Sequence, residues 1–541
     1  MADTEKIDEQ TQQKKTFGEV VKDAFKELRE TFIAFIKAPK ALWGINIPYI
    51  VEGLVYFGIL TILGKYASEN LGLADTQASL IYSGVTGGIT FSMLLFGGYS
   101  DKLGVSTSLK LAFAIMVVGR VLVALSGSLN LQNGLGSPMF WLMNLGLLLM
   151  VGGYGLYQPA AYAGVKRYTN KQTAAMGYAV IYGFMNLGAF FSGFISSFTR
   201  QSFENTFPPN GLTAVFWVYV VLTALSLVVT LVILTKKTDK EAVDKIQKED
   251  EDLDEAAGIE KEEKKEVVPD AKINNTLLYI LGALVAAFFL MSGFAFDVSF
   301  NVHFAIGGLK VDLMFVLFIV AIILAIYDYL RHRPYHPFRD IRFTFFIFIL
   351  IPVQTLFAHN WLTLPYYLDR AFAGTFVSEY FEVFTNLNPI LIFFLTPIVA
   401  GLTARADVYK MMIYGTFVMA IPTFLLTLGP NVALFLLYVL LMTIGEAMWQ
   451  PRFLQWIAEI APEGKTGLYM GVGQFPWFLT KVVTGFYSGW FLTKYMPAGV
   501  SPSQMDTQML WLIYGLIAII SPIALVLAKN WMMKGFKTIS A

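Results

Sequence analysis

The sequence predicts an all-α polytopic membrane protein, and three observations carry that prediction. Apolar runs alternate with short polar breaks from Trp43 to Lys529, and each run has the roughly 20 residues that a helix needs to cross a hydrocarbon layer. The chain of 541 residues is 56% hydrophobic and 15% charged, with mean hydropathy +0.57. A soluble fold of that size could not cover so much apolar surface, so lipid must do it. Lys and Arg collect at every second break, which sets the direction of each crossing.

Taken in order, residues 1–42 read as a cytoplasmic N-terminal segment. Met1 to Lys15 is hydrophilic and lacks the apolar core of a cleavable signal peptide, so insertion is expected to use the first span. Between Phe17 and Ile36 apolar residues follow helical spacing, with Lys22, Lys26, Arg29 and Lys37 among the other positions. This predicts an amphipathic helix, lying on the membrane surface or packed on cytoplasmic loops.

Spans near 43–64, 79–99, 109–127, 138–165, 174–197 and 213–235 form a first six-helix bundle, residues 43–235. Residues 236–275 are dense in Glu, Asp and Lys and poor in aromatics, which predicts a solvated cytoplasmic linker. Two extra spans, near 276–296 and 311–330, occupy residues 276–342. A second six-helix bundle, 343–530, holds spans near 343–366, 385–404, 410–428, 431–455, 467–493 and 510–529, and a tail, 531–541, follows. The total is about 14 transmembrane helices.

Lys102 with Lys110, then Lys166, Arg167 and Lys171, then Lys236 and Lys237 fall on one side. Arg331, Arg339, Arg405, Lys410, Arg452, Lys465, Lys534 and Lys537 continue that side in the second part. Both termini are therefore expected in the cytoplasm of a multi-pass cell-membrane protein. Six plus two plus six suggests two half-transporters related by a pseudo-twofold axis, with a cavity between them.

Several classes of function drop out. The net charge of +1 gives no reason to expect nucleic acid, and the absence of Cys excludes disulfides and thiolate chemistry. Four His residues show no zinc-like helical spacing, and no P-loop, H-E-x-x-H or G-x-S-x-G is present. An enzyme, a cofactor, a bound metal and ATP-driven pumping are not expected.

Ionisable residues inside spans are costly, so each is a functional candidate. Glu52, Arg120, His359, Glu446 and Lys481 qualify. A carboxyl in a partly dry cavity can exchange a proton or bind a cationic group, which singles out Glu52 and Glu446. A structural ion pair between helices is the competing reading. Tyr56, Tyr157, Gln158, Tyr182, Asn186, Gln354, Asn360, Gln474 and Trp477 are polar or amphipathic groups in apolar surroundings. They suit the wall of a solute cavity or, singly, a helix-to-helix hydrogen bond.

Gly97-Gly98-Tyr99-Ser100-Asp101-Lys102-Leu103-Gly104 follows the second span. It resembles the loop signature of the major facilitator superfamily, G-x-x-x-D-(R/K)-x-G. Gly97 would let helices approach closely, Asp101 would cap a helix or pair with a base as a cytoplasmic latch beside Lys102, and Gly104 would permit a tight turn. Val105-Ser106 stands where the signature usually ends in bases, and Gly401 to Asp407 is a weak echo in the second half.

Tyr49-Ile50-Val51-Glu52-Gly53-Leu54-Val55-Tyr56-Phe57-Gly58 resembles the E-x-x-E-R-F-x-Y-Y-G motif of the proton-coupled oligopeptide transporters. Ile181 to Gly188, Gly445-Glu446 with Pro451, and Asn386-Leu387-Asn388-Pro389 are similar to further motifs of that family. The resemblance covers about residues 43 to 530. It implies the major facilitator fold with two extra central helices, proton-coupled symport of di- and tripeptides, and an amine-binding role for Glu446. The departures are Tyr49 for the first Glu, Gly53 for the Arg, Gln158 for the base before Pro159, and His359-Asn360 for an acid-Gln pair. Either Arg120 or Lys481 replaces the lost bases, or the solute is not an ordinary peptide. The expected partners are a small-molecule substrate, protons and the lipid bilayer, with a monomer as the default state. The alternatives are a carrier of an organic anion, drug or nucleoside, and a solute sensor that no longer transports.

Overall fold

The computed structural model describes residues 38–170, 174–256, 276–289, 303–306, 309–333, 336–403, 406–460 and 475–534, with isolated positions besides. The amphipathic segment and the C-terminal tail beyond Lys534 lie outside these, as does Gln474.

The first bundle consists of α1 (Lys40–Lys65), α2 (Asp75–Leu103), α3 (Val105–Ser128), α4 (Pro138–Arg167), α5 (Ala174–Ser202) and α6 (Leu212–Ile233). A linker helix, α7 (Lys236–Ala256), follows. Residues 260–348 form a separate unit containing α8 (Thr276–Phe289), β1 (His303–Ile306), β2 (Leu309–Asp312) and α9 (Leu313–Arg331). The strands pair as an antiparallel hairpin with His303 opposite Asp312, and among the described residues every other element is helical, as expected.

The second bundle is entered through a broken span whose first helix lies almost wholly in that separate unit. α10 (Ile341–Ile349) gives way at Leu350 to α11 (Ile351–Leu362), whose second residue is Pro352, and a ring at that position removes a ladder hydrogen bond. Short helices α12 (Leu364–Ala371), α13 (Phe376–Glu379) and α14 (Phe381–Thr385) lead into α15 (Leu387–Leu402). Then come α16 (Val408–Ala420), which tightens to a 3-10 helix over Ile421–Leu428, and α17 (Val432–Ile460). α18 (Phe475–Tyr495), α19 (Thr507–Ala518) and α20 (Ile520–Met533) complete it.

Among the described residues 10 helical stretches are long and apolar enough to cross a membrane. The expected 14 are not all found. Each bundle supplies five, and α2 and α18 are not among them. Those two carry Ser, Thr and Gly through their middles, and α18 also carries Trp477 and Lys481. They pack on each other across the two bundles, so their polar middles are shielded by one another rather than facing lipid.

Lipid tails are as apolar as side chains, so helix association in a bilayer relies on close packing. The two halves use the same device at corresponding places. A Cβ on Gly119 in α3 would stand 2.6 Å from the Gly146 carbonyl in α4. In the second half a Cβ on Gly445 in α17 would stand 2.7 Å from the Gly415 carbonyl in α16. In each bundle the third and fourth spans thus cross with backbones almost touching.

The linker helix departs from the solvated linker expected. Asp239 accepts from Arg167 Nε at 2.9 Å and from the Tyr168 hydroxyl at 2.6 Å, while Asn170 donates to Glu249 at 2.9 Å. Ala242 is buried with the core of the first bundle. α7 is docked on that bundle by one apolar contact patch and three polar ties.

Candidate functional site

Glu52 lies inside the first bundle. Its carboxylate accepts from both terminal nitrogens of Arg120 on α3, one at 2.8 Å, and from the Tyr154 hydroxyl on α4. Arg120 also donates to Thr223 on α6. Both charged side chains are buried, at 1% and 0% exposure. The expectation that Glu52 looks into a gap shared by the halves is corrected, because Arg120 and Tyr154 hold it among α1, α3, α4 and α6. Without Arg at 53 or Lys at 158, Arg120 supplies the neutralising charge that a buried carboxylate requires.

Gln158 accepts from the Tyr49 hydroxyl at 3.2 Å, and Tyr49 stacks on Tyr157 with centroids 5.7 Å apart. Asn186 donates to the Tyr182 carbonyl one turn back. Tyr182 is 45% exposed in the first third of α5.

His359 sits within the second bundle. Nδ1 contacts the Thr363 hydroxyl at 2.7 Å, Nε2 the Tyr487 hydroxyl at 3.0 Å, and the ring stacks on Tyr514 at 3.8 Å. Every face of the imidazole is occupied, which makes it a packing and hydrogen-bonding centre. Gln354 accepts from Thr480 at 3.0 Å. The Nε2 of Gln354 and the Nδ2 of Asn360 are buried without a partner among the described residues.

Glu446 differs from Glu52. Its carboxylate accepts from Asn388 Nδ2 at 2.8 Å and makes no ion pair among the described residues. Lys481 is half-buried, and its ammonium likewise has no ion pair among the described residues. Trp449 lies one turn beyond Glu446 on α17, and Trp477 one turn before Lys481 on α18. These indoles stack with centroids 6.4 Å apart and planes 13° apart.

The aromatic wall then crosses to the first bundle. Trp477 meets Phe357 at 5.3 Å, Phe357 meets Trp361 at 4.8 Å, and Trp361 meets Phe57 at 4.9 Å. Tyr56 packs edge-on against Phe57 at 5.0 Å and Tyr154 at 5.3 Å. Glu446 and Lys481, neither with an ion pair among the described residues, thus each lie one turn from an indole of an aromatic wall that spans both halves.

A second feature has little warning in the span pattern. At the face where α1 ends and α2 begins, ion pairs join the bundles. Lys65 pairs with Asp369 and, at 2.7 Å, with Glu69. Arg370 grips Asp75 through two bonds of 2.7 and 2.9 Å and donates to the Met496 carbonyl at 2.8 Å. Arg200 donates to Glu382 at 2.5 Å and to the Glu379 carbonyl at 2.6 Å. Lys65 and Arg200 both lie over the Phe381 ring, at 4.9 and 5.2 Å. Asn386, at the break between α14 and α15, donates to Thr61 of α1 at 3.0 Å. The usable signal was the scarcity of bases on this face: the few present have partners.

Of the loop signature, Gly104 is seen at φ +78° as the residue before α3, where only glycine adopts that backbone freely. The side chains at Gly97, Asp101 and Lys102 lie outside the described residues. In the second-half echo, Asp407 caps α16 by accepting from the Lys410 amide at 2.8 Å.

The sequence matches the profile of the Major Facilitator Superfamily over residues 46–378. The chain belongs to the major facilitator superfamily. Its members matched here are transporters, not enzymes. A solved structure reported under substrate recognition in proton dependent oligopeptide transporters is similar, with TM-score 0.63 and 18% identity, covering 92% of this chain and 99% of that one. A bacterial homologue of the human drug peptide transporters gives TM-score 0.60 and 17% identity, again over 92% of this chain and 99% of that one. At such identity these likenesses show the fold. Peptide transporter family 1 of Caenorhabditis elegans is 27% identical over 158 residues, 28% of this chain and 18% of that relative. The match thus spans under a fifth of the relative's length.

Proposed function

We propose that this protein is a secondary active transporter that moves a small polar solute across the cell membrane by alternating access. Its spans number about 14 on this reading, the base-rich face and both termini are cytoplasmic, and it acts as a monomer. The observation that supports it best is the pairing of two arrangements. Unneutralised Glu446 and Lys481 flank an aromatic wall in the interior, while ion pairs close the far face between the bundles. Rocking the bundles would part those pairs and admit solute from outside.

A zwitterion fits the two charges, with its amine on Glu446 and its carboxylate on Lys481. Short peptides are the favoured class, because the solved neighbours are described as peptide transporters. Proton binding at Glu446 would drive the cycle, through different proton affinities in the two states. Uptake into proteoliposomes across a solute panel, with and without a pH gradient and repeated with Glu446→Gln, tests this. Peptide uptake that needs the gradient and is lost in Glu446→Gln supports the reading; solute-driven uptake unchanged by the substitution removes Glu446 from the site.

A second reading keeps the carrier and changes the solute to an organic anion, drug or nucleoside. The engagement of Arg120 with Glu52 favours it, since it withdraws that base from solute contact. A solute-dependent thermal shift with no transport of any panel member would point instead to a sensor.

A further inference from the structure

A cavity of about 650 Å³ lies on the base-rich face of the first bundle, bounded by the start of α3, the last turn of α4 and the first turn of α7. Its lining includes Lys110, Lys166, Arg167 and Lys236 and a single carboxylate, Asp239. That carboxylate is already committed to Arg167, through bonds of 2.9 and 3.1 Å, and to the Tyr168 hydroxyl. Lys110 spends one hydrogen on the Leu234 carbonyl at 2.7 Å. Lys166 and Lys236 are exposed and make no ion pair among the described residues. Asp239 cancels Arg167, so the three lysines leave the cavity strongly positive.

The backbone adds to this field. Val105, Ser106 and Thr107, the first turn of α3, also line the cavity. The first amides of a helix have no partner within it, and the helix dipole is positive at that end. The residue before them is Gly104, which has no side chain to cap them. Lysine ammoniums and a helix N-terminus lining one concavity together suit a phosphate. The volume is that of roughly twenty waters, so the phosphate can carry an organic body. Ends of membrane-spanning helices lie at headgroup depth.

We infer that this cavity binds a phosphate-bearing anion, either the headgroup of an acidic phospholipid or a soluble phosphate. Neither the solute site nor the ion pairs of the opposite face enter this inference.

The test uses the full-length purified protein and two variants. Lys166→Gln with Lys236→Gln removes two exposed charges. Thr107→Glu puts an acid in the first turn of α3, where it favours the helix but repels an anion. Native mass spectrometry counts phosphatidylglycerol retained from mixed phosphatidylglycerol and phosphatidylcholine nanodiscs, and thermal shift reads binding of inorganic phosphate. Phosphatidylglycerol retained by the parent and weakened at least about tenfold in both variants identifies a lipid site. A phosphate-induced shift in the parent, absent in both variants, identifies a soluble ligand. An unselective lipid count together with no phosphate shift, or responses unchanged by both variants, overturns the inference.

Discussion

Arg120 and Glu52 show how one lost charge is replaced from elsewhere. The first span has no base beside Glu52, since Gly53 follows it, and α3 supplies the guanidinium instead. Removing one member of a buried pair leaves the other uncompensated, at about 3–5 kcal/mol. Arg120→Ala is therefore expected to lower the unfolding midpoint sharply, and Arg120→Met with Glu52→Gln to recover much of the loss, as read by thermal unfolding in detergent. Glu446 and Lys481 have no such partners, so Glu446→Gln and Lys481→Ala should leave that midpoint nearly unchanged while cutting uptake at least about tenfold, the order expected for one lost charge-assisted contact. The sequence marks all four as ionisable groups inside spans. What it cannot show is which pair up, because pairing depends on how α1, α3 and α4 are rotated about their axes. Periodicity does not determine that rotation in helices apolar on every side.

At the scale of elements, the boundaries of the apolar helices were legible because lipid demands length and apolarity. α2 and α18 are less apolar because they face each other, and Gly489 shows how closely. A Cβ there would stand 2.5 Å from the Thr76 Cα and 2.6 Å from the Asp75 carbonyl. Gly489→Ala should force α2 and α18 apart beside the Arg370–Asp75 pair and raise thiol labelling of Ser79→Cys. Equal labelling in the presence and absence of Gly489→Ala would contradict that packing. The linker helix was the least legible element, since its composition reads as solvated and its docking rests on a few residues. The Arg167 guanidinium holds the Asp239 carboxyl below its usual range. A lowered folded value means the tie contributes above the ordinary carboxylate range and is lost as pH falls through that lowered value. Amide exchange over 236–256 should thus stay slow through mildly acid pH and quicken only in strong acid, whereas Asp239→Asn should quicken it at neutral pH.

The whole molecule joins two similar bundles at one face through side chains that water could also satisfy. Lys65, Asp75, Arg200, Asp369, Arg370 and Glu382 lie within a few residues of span ends, where hydration becomes available once the bundles part. In the proposed cycle such pairs would act as a two-state latch: they would favour closure, and their members would not be stranded in lipid on opening. The six-plus-two-plus-six count set the expectation of two bundles and about 14 spans, of which 10 are found among the described residues. The ion pairs had no such signal, because pairs between residues some 300 positions apart, such as Asp75 and Arg370, leave no local pattern. The chain has no Cys, so spin labels can be placed on an otherwise unmodified background. Labels at Glu204→Cys and Ala373→Cys, exposed positions on the two bundles at the latched face, report its opening by pulsed electron resonance. The account predicts two exchanging distances, with the longer enriched by Arg370→Gln and by transported solute; one distance that neither change alters, in protein that still transports, would contradict it.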